Sequence, residues 1–193
     1  MDGAGADMSS IITHRSLQEL EAGLAIIRES PKDSGTLALI VRRPDIDVRE
    51  VLDEGVLDLV DGLVGDSWSR RRSTRTETGS AHPDMQLNII NARAIALVAQ
   101  VKDRWPLAGD QLYVDLDLSG TNLPPGARLA LGSAVIEITA QPHTGCSKFA
   151  ARFGPDATRF VNSAAGKELH LRGINAKVVH SGAIRVGDLV RKV

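Results

Sequence analysis

Residues 128–140 read Arg-Leu-Ala-Leu-Gly-Ser-Ala-Val-Ile-Glu-Ile-Thr-Ala, two short apolar runs separated by Gly132 and Ser133. Apolar runs bounded by turn residues are typical of β-strands joined by a tight connection. Comparable segments occur at 86–90, 111–118, 168–171, 176–181 and 189–193. Many short strands with turns between them favour a barrel or a sandwich over a doubly wound parallel sheet. We therefore predict a mainly β core, with α+β character for the chain as a whole.

Helices are expected around this core. Residues 16–29, 48–60, 92–105 and 146–164 have helical patterns. The first begins with the capping-box pattern Ser16-Leu-Gln-Glu19, while Asp47 and Asn91 can cap the second and third. A buried strand at 36–41 lies between the first two helices. The chain is therefore divided into a tail and helix over residues 1–35 and a β domain over residues 36–193.

Composition excludes several classes of protein. Hydrophobic residues make up 42% of the 193 residues and charged residues 24%, as in ordinary globular domains. Aromatic residues make up only 3%, which argues against nucleic-acid binding by base stacking. The longest apolar run, Ala94 to Ala99, is far too short to span a bilayer. With a single cysteine and no secretory signal pattern, a cytoplasmic protein without nucleic-acid or membrane partners is expected.

Charge is distributed unevenly along the chain. Residues 1–66 contain 6 basic and 14 acidic side chains, whereas residues 146–193 contain 9 basic and 3 acidic ones. The basic C-terminal quarter, together with Arg70, Arg71, Arg72 and Arg75, could face an anionic ligand, because arginine binds phosphate with two parallel hydrogen bonds. Alternatively, the acidic and basic parts pack together and cancel. Composition alone does not separate these two interpretations.

The segment Pro142-His-Thr-Gly-Cys-Ser-Lys-Phe149 is the strongest candidate for chemistry. It lies between a predicted strand and a predicted helix, and Gly145 allows another group to approach the backbone beside Cys146. A helix dipole alone is too weak to keep Cys146 as a thiolate at neutral pH. Lys148, a protonated His143 or a soft metal would have to contribute. The alternative interpretation is an inert, buried structural cysteine.

Several motifs, taken in their order along the chain, resemble the MOSC family, the C-terminal domain of molybdenum-cofactor sulfurases and its stand-alone relatives. The motifs are Gly62-Leu-Val-Gly-Asp-Ser-Trp68, Gln86-Leu-Asn-Ile-Ile-Asn91, Gly109-Asp-Gln-Leu112, the Cys146 segment, Leu171-Arg-Gly173 and Gly182 to Asp188. The resemblance covers about residues 36–193. It implies a β-barrel that binds the molybdenum cofactor or carries sulfur as a cysteine persulfide to metal-sulfur centres.

The resemblance also implies roles for particular residues and partners. Cys146 would be the catalytic residue and the metal ligand, and the cofactor-binding residues would be Arg70, Arg71, Arg72, His143, Lys148 and Arg172. A sulfur donor or acceptor protein would be the partner. Some relatives reduce N-hydroxylated compounds with molybdenum, which here would require a redox partner chain. Pyridoxal phosphate is not expected, because 193 residues leave no room for a desulfurase domain. A non-catalytic barrel that binds an anionic metabolite or a protein is the remaining alternative.

Overall fold

The computed structural model describes residues 13–193; the predicted tail at residues 1–12 lies outside this range. The described chain contains eleven strands and six α-helices. The strands are β1 (Ser34–Arg42), β2 (Glu50–Leu52), β3 (Glu54–Asp58), β4 (Gly62–Leu63), β5 (Leu87–Asn91), β6 (Leu112–Asp115), β7 (Arg128–Leu131), β8 (Ala134–Ile138), β9 (Ile174–His180), β10 (Gly182–Arg185) and β11 (Leu189–Lys192). The helices are α1 (Leu17–Ala22), α2 (Leu24–Arg28), α3 (Ala92–Ala99), α4 (Ser147–Phe153), α5 (Pro155–Asn162) and α6 (Ala164–Glu168).

Seven of the strands close into a mixed barrel, which confirms the predicted fold class. Their order around the barrel is β1-β6-β5-β9-β8-β7-β11, and β11 returns to pair with β1. The β5–β6 pair is parallel and the other neighbouring pairs are antiparallel. The closing contact is short, with Ser34 opposite Arg191 and Thr36 opposite Leu189. Closure pairs the strand edges that an open sheet would leave exposed.

The segment 48–60 forms strands, so the predicted helix there is wrong. β2 pairs with the end of β1, while β3 joins β4 and β10 in a separate three-stranded sheet. Gly55 and the β-branched Val51 and Val56 disfavour a helix, and pairing with distant strands decides the outcome. The predicted strand at 168–171 is also wrong, because α6 ends at Glu168 and a turn follows.

Two hydrophobic clusters hold the barrel and its helices together. In β1, Leu37 and Ile40 pack inside the barrel, whereas Leu39 and Val41 belong to a second cluster outside it. That outer cluster includes Phe149 and Phe160 of α4 and α5. A bulge between Leu37 and Leu39 shifts the side-chain alternation of β1, so this one strand contributes residues to both clusters. The helical segment 146–164 is thereby fixed against the barrel wall, which places the start of α4 beside the ends of the strands.

The helices predicted over 16–29 and 92–105 begin where the sequence patterns place them, but the first is interrupted and the second ends early. Ser16 and Glu19 form the predicted capping box at the start of α1, although the helix predicted over 16–29 is interrupted at Gly23. Asn91 caps α3 by accepting a hydrogen bond from the Ala94 amide at 2.9 Å. The helix predicted to run to residue 105 ends at Ala99, and a 3-10 helix follows over Lys102–Ala108. Residues 83–85 and 68–70 form two further short 3-10 turns.

Gly173 provides a test of how tightly the start of β9 is packed. It has a φ of +108°, and a Cβ at this position would collide with the Ile89 carbonyl group. Gly126 has a similar φ of +90° but nothing within 4 Å. We expect Gly173→Ala to lower the free energy of unfolding by about 2 kcal/mol or more, and Gly126→Ala by only about 1 kcal/mol. Urea denaturation of both variants measures the difference; equal losses would contradict this packing.

Candidate functional site: a cationic cleft around Cys146

One cleft of about 650 Å³ is lined by the seven residues predicted above to bind the cofactor or the metal, whereas Arg75 does not line it. It lies where β1, the loop after β4 and the start of α4 come together. The seven lining residues are Arg70, Arg71, Arg72, His143, Cys146, Lys148 and Arg172. The structure therefore assembles side chains that lie about a hundred positions apart in sequence. Their roles in catalysis or binding stay predictions.

Cys146 is exposed in this cleft, immediately before α4. The preceding residue, Gly145, is fixed by Asn162 of α5, whose side chain accepts a hydrogen bond from the Gly145 amide at 3.0 Å and donates to its carbonyl at 3.1 Å. A Cβ at residue 145 would come within 2.8 Å of Val161. Glycine thus allows α5 to approach and hold the backbone beside the thiol. The exposure of Cys146 contradicts the interpretation of a buried structural cysteine.

The floor of the cleft is built on a buried ion pair between Arg43 and Asp66. Arg43 Nε lies 2.9 Å from Asp66 Oδ2, and the two side chains are only 4% and 0% exposed. The same guanidinium donates to the Asn88 side chain at 2.8 Å and to the Gly109 carbonyl at 2.7 Å. Asp66 also accepts hydrogen bonds from the Arg43 and Trp68 amides. This pair joins the end of β1 to the loop that carries Arg70 to Arg72.

A second buried pair joins Arg172 to Asp110. Arg172 Nη1 donates to both carboxylate oxygens of Asp110, at 3.0 and 2.8 Å, and Nη2 donates to the Ala108 carbonyl at 3.0 Å. Burial raises the pKa of Asp110, while Arg172 opposes this rise. The guanidinium carbon also lies 5.0 Å from the centre of the Phe149 ring. Arg172 is therefore a fixed part of the cleft wall rather than a mobile cation.

His143 is neutral near pH 7. Burial, followed by the charges of Arg172 and Arg43, lowers the pKa of His143 well below its usual value. Its Nδ1 atom lies 3.5 Å from Asp110, but that carboxylate already accepts two hydrogen bonds from Arg172, and Nδ1 is buried without a hydrogen-bond partner. The lowered pKa argues against a protonated His143 as a source of stabilisation for a Cys146 thiolate.

Five lining cations have no carboxylate partner within residues 13–193: Arg49, Arg70, Arg71, Arg72 and Lys148. Their side chains bond only to neutral groups where they bond at all, as Arg70 does to the Pro44 carbonyl and Arg71 to the Ser67 hydroxyl. Burial and the charges of Arg152 and Arg43 lower the pKa of Arg49, and burial and Arg43 lower that of Arg71. Asp45 and Asp47 also line the cleft, but the lining cations outnumber them, so positive charge is in excess there.

Sequence reasoning missed three arginines of the cleft. Arg43 lies at the end of β1, Arg49 lies before β2, and Arg152 lies on α4, where it bonds to Asp47 at 2.7 Å. Arg152 belongs to the basic C-terminal quarter, so the charge count could have included it. Arg43 and Arg49 lie in the acidic first third of the chain, where no local pattern distinguishes them.

Other kinds of site receive no support from the described residues. Within residues 13–193, no group of three or more His, Cys, Asp and Glu side chains is arranged to hold a metal ion. In the same range, no helix combines the length and apolar character that crossing a bilayer requires. A metal bound in this cleft would therefore depend on Cys146 and on ligands supplied by the bound group itself.

The comparisons with known proteins establish the family of this chain. The MOSC domain model matches residues 76–191, and the chain therefore belongs to the MOSC domain family. The match contains Cys146, His143, Lys148 and Arg172, whereas Arg70 to Arg72 precede it. A comparison with curated proteins gives no match.

Several crystal structures share the fold. The YuaD protein of Bacillus subtilis has a TM-score of 0.59 and 18% identity, over 81% of this chain and 94% of that one. YiiM of Geobacillus stearothermophilus has a TM-score of 0.57 and 14% identity, over 82% and 75%. YiiM of Escherichia coli has a TM-score of 0.51 and 20% identity, over 82% and 69%. At these identities the likeness establishes the fold alone.

The Arg43–Asp66 pair should dominate the stability of the cleft. Asp66→Asn leaves a buried guanidinium without its counter-charge, and we expect a loss of about 3 kcal/mol in the free energy of unfolding. Glu54→Gln removes the carboxylate of an exposed pair with Arg185 and should change the free energy of unfolding by about 0.5 kcal/mol or less. Urea denaturation at neutral pH compares the two variants. Similar, small effects would show that the Arg43 charge is solvated.

The depressed pKa of His143 predicts a pH dependence of stability. Below about pH 6.5 the unfolded chain takes up a proton at this residue that the folded protein does not bind, so stability falls with decreasing pH. His143→Gln should remove this part of the decrease between pH 7.5 and 5.5, measured by urea denaturation. The control variant, His180→Gln at an exposed histidine, should retain the full decrease in stability. An unchanged pH dependence in His143→Gln would overturn the assignment of a neutral, buried ring.

Proposed function

We propose that this protein binds the molybdenum cofactor in the cationic cleft, with the Cys146 sulfur as a ligand to the metal. The observation that carries the proposal is an exposed thiol in the same cleft as five cations without carboxylate partners. A thiolate is a soft ligand suited to such a metal centre. The pterin part of the cofactor carries a phosphate, which guanidinium groups bind well.

The residues present fit such a group in charge and in hydrogen-bonding capacity. The Nε atoms of Arg49 and Arg172 are buried without partners, so donors remain available in the cleft wall. An anion placed among Arg49, Arg70 and Arg71 would reduce their mutual repulsion. His143, being neutral, can form a hydrogen bond without adding a further charge. The buried carboxylates of Asp66 and Asp110 already have their arginines, so they leave the outer cations free for a ligand.

Each part of the cleft has a separate task in this proposal. Cys146 anchors the metal, and Asn162 holds the backbone beside it through Gly145. The outer cations orient the anionic part of the cofactor, and the fixed Arg172 keeps the wall in place. When bound, the molybdenum cofactor supplies redox or sulfur-transfer chemistry. Electrons or sulfur would come from a partner protein.

A persulfide carried on Cys146 would use the same exposed sulfur without any bound cofactor. Persulfide transfer does not require five cations in one cleft, whereas binding a phosphorylated cofactor uses them directly. The charge of the cleft therefore favours cofactor binding as the main function. A barrel that binds only an anionic metabolite would use the cations but not the thiol.

The decisive experiment measures molybdenum and pterin in protein purified from a host that makes the cofactor. We expect both in the unaltered protein, and loss of the molybdenum in Cys146→Ser, because a hydroxyl is a poor substitute for a soft thiolate. Ser147→Ala, at the next residue, is the matched control and should retain both. Arg71→Gln should lower the pterin content with little change in stability, since it removes a phosphate-binding charge.

The outcomes separate the alternatives. Absence of both molybdenum and pterin from the unaltered protein would contradict cofactor binding. Mass spectrometry of the same preparation would then detect a sulfur atom added to Cys146 if the protein carries a persulfide. Equal molybdenum content in Cys146→Ser and in the unaltered protein would show that the thiol is not a metal ligand.

A further inference from the structure

A second cavity, of about 420 Å³, lies next to the cationic cleft and differs from it in chemistry. Its walls are mostly apolar and include Leu123, Ile138, Val161 and Ile174. No acidic side chain of the described chain lines it. Its volume falls within the range of small-molecule binding sites, which combine apolar walls with a few polar groups. Nothing in the cofactor-binding proposal uses this space.

The two cavities share one wall. His143 lines both of them, and Thr144 lines the apolar one, while Cys146, two residues further on, lines the cleft. Asn162, which fixes Gly145 by two hydrogen bonds, also lines the apolar cavity. A molecule bound there would therefore lie beside the backbone segment that carries Cys146.

Polar side chains from three parts of the chain line the apolar cavity: Lys167 of α6 and His170 of the turn after it, Asn162 of α5, and Thr139, Gln141, His143 and Thr144 from the segment after β8. Lys167 has no carboxylate partner within the described residues. His170 donates from Nδ1 to the Leu118 carbonyl at 2.7 Å, which leaves Nε2 without a partner. His170 also adopts a left-handed φ of +49°, which a non-glycine residue rarely adopts and which the Leu118 contact maintains. Among the described residues that line this cavity, Lys167 is the one lysine or arginine.

We propose that this cavity binds a small organic acid, with its apolar body against Leu123, Val161 and Ile174 and its carboxylate near Lys167. A carboxylate matches a single cation in a cavity without acidic residues, and the walls select an apolar body rather than a bare inorganic anion. Identifying this acid as the organic substrate of the Cys146 site rests on the proposed function. Binding of the acid to the cavity stands independently of it.

Binding is tested on cofactor-free protein with phenylacetate as the probe, by isothermal titration and by amide chemical shifts. We expect saturable binding with the largest shifts at residues 123, 161 and 174. Acetate lacks the phenyl ring and 2-phenylethanol lacks the negative charge. Each should bind at least about tenfold more weakly than phenylacetate. Equal affinity for acetate, or shifts centred on residues 70–72, would mean that phenylacetate is only an anion in the cationic cleft, and would overturn the proposal.

Charge-removing variants assign the carboxylate contact. Lys167→Met should weaken phenylacetate binding about tenfold while leaving 2-phenylethanol unchanged, and Lys167→Arg should restore it. Lys32→Met, at an exposed lysine outside both cavities, is the matched control and should bind phenylacetate normally. Lys167 is exposed, so its replacement should not disturb folding, and amide spectra of the free variant verify this. Equal binding by Lys167→Met and Lys32→Met would refute the Lys167 contact.

Proximity to the thiol is tested with the single cysteine of the chain. A nitroxide spin label on Cys146 should broaden the proton resonances of bound phenylacetate, compared with the same label after reduction. Binding without broadening would place the acid away from the Cys146 site and would refute its role as substrate. Because these measurements contain no molybdenum, their failure is distinguishable from a failure to load the cofactor.

Discussion

The guanidinium group of Arg43 links the pieces from which the cleft is assembled. It connects the end of β1 with Asp66, Asn88 and Gly109, which come from three separate parts of the chain. An arginine with so little solvent exposure is tolerated only when each of its charged and polar contacts is present. The floor of the cleft therefore forms as a unit or not at all. The positions of the outer cations follow from this unit.

The arginines of the cleft fall into two groups with different physical roles. Arg43 and Arg172 form buried ion pairs with carboxylates and have a structural role. Arg70, Arg71 and Arg49 lack such partners and give the cleft its positive charge. Both interpretations of the uneven charge along the chain, internal pairing and binding of an anion, thus apply to part of the arginines. Asp66 and Asp47 of the acidic part neutralise two arginines, yet enough cations remain for a local excess of positive charge in a chain whose formal net charge is −1.

Local patterns predicted the features that local interactions determine. The capping groups of α1 and α3, the strands of the barrel and the turn that presents Cys146 all depend on neighbouring residues, and the sequence shows them. The strands at 48–60 were not predicted, because the spacing of the apolar residues in this segment also fits one face of a helix. Pairing of β2 with β1 and of β3 with β10 decides for strands, and neither pairing is visible in the local sequence. The neutral state of His143 could not be predicted from the sequence either, since burial is a property of the folded chain.

Barrel closure has a consequence for the order in which the protein folds. β1 is made well before its partner β11, and three residue pairs join them. Until β11 has left the ribosome, the start of β1 remains an unpaired edge and the barrel interior stays open. Contacts between such distant segments carry a large loop-closure cost and slow the search for the native state. The newly made chain thus depends on its helices and on the β1–β6 and β5–β6 pairs to hold it together until the last strand arrives.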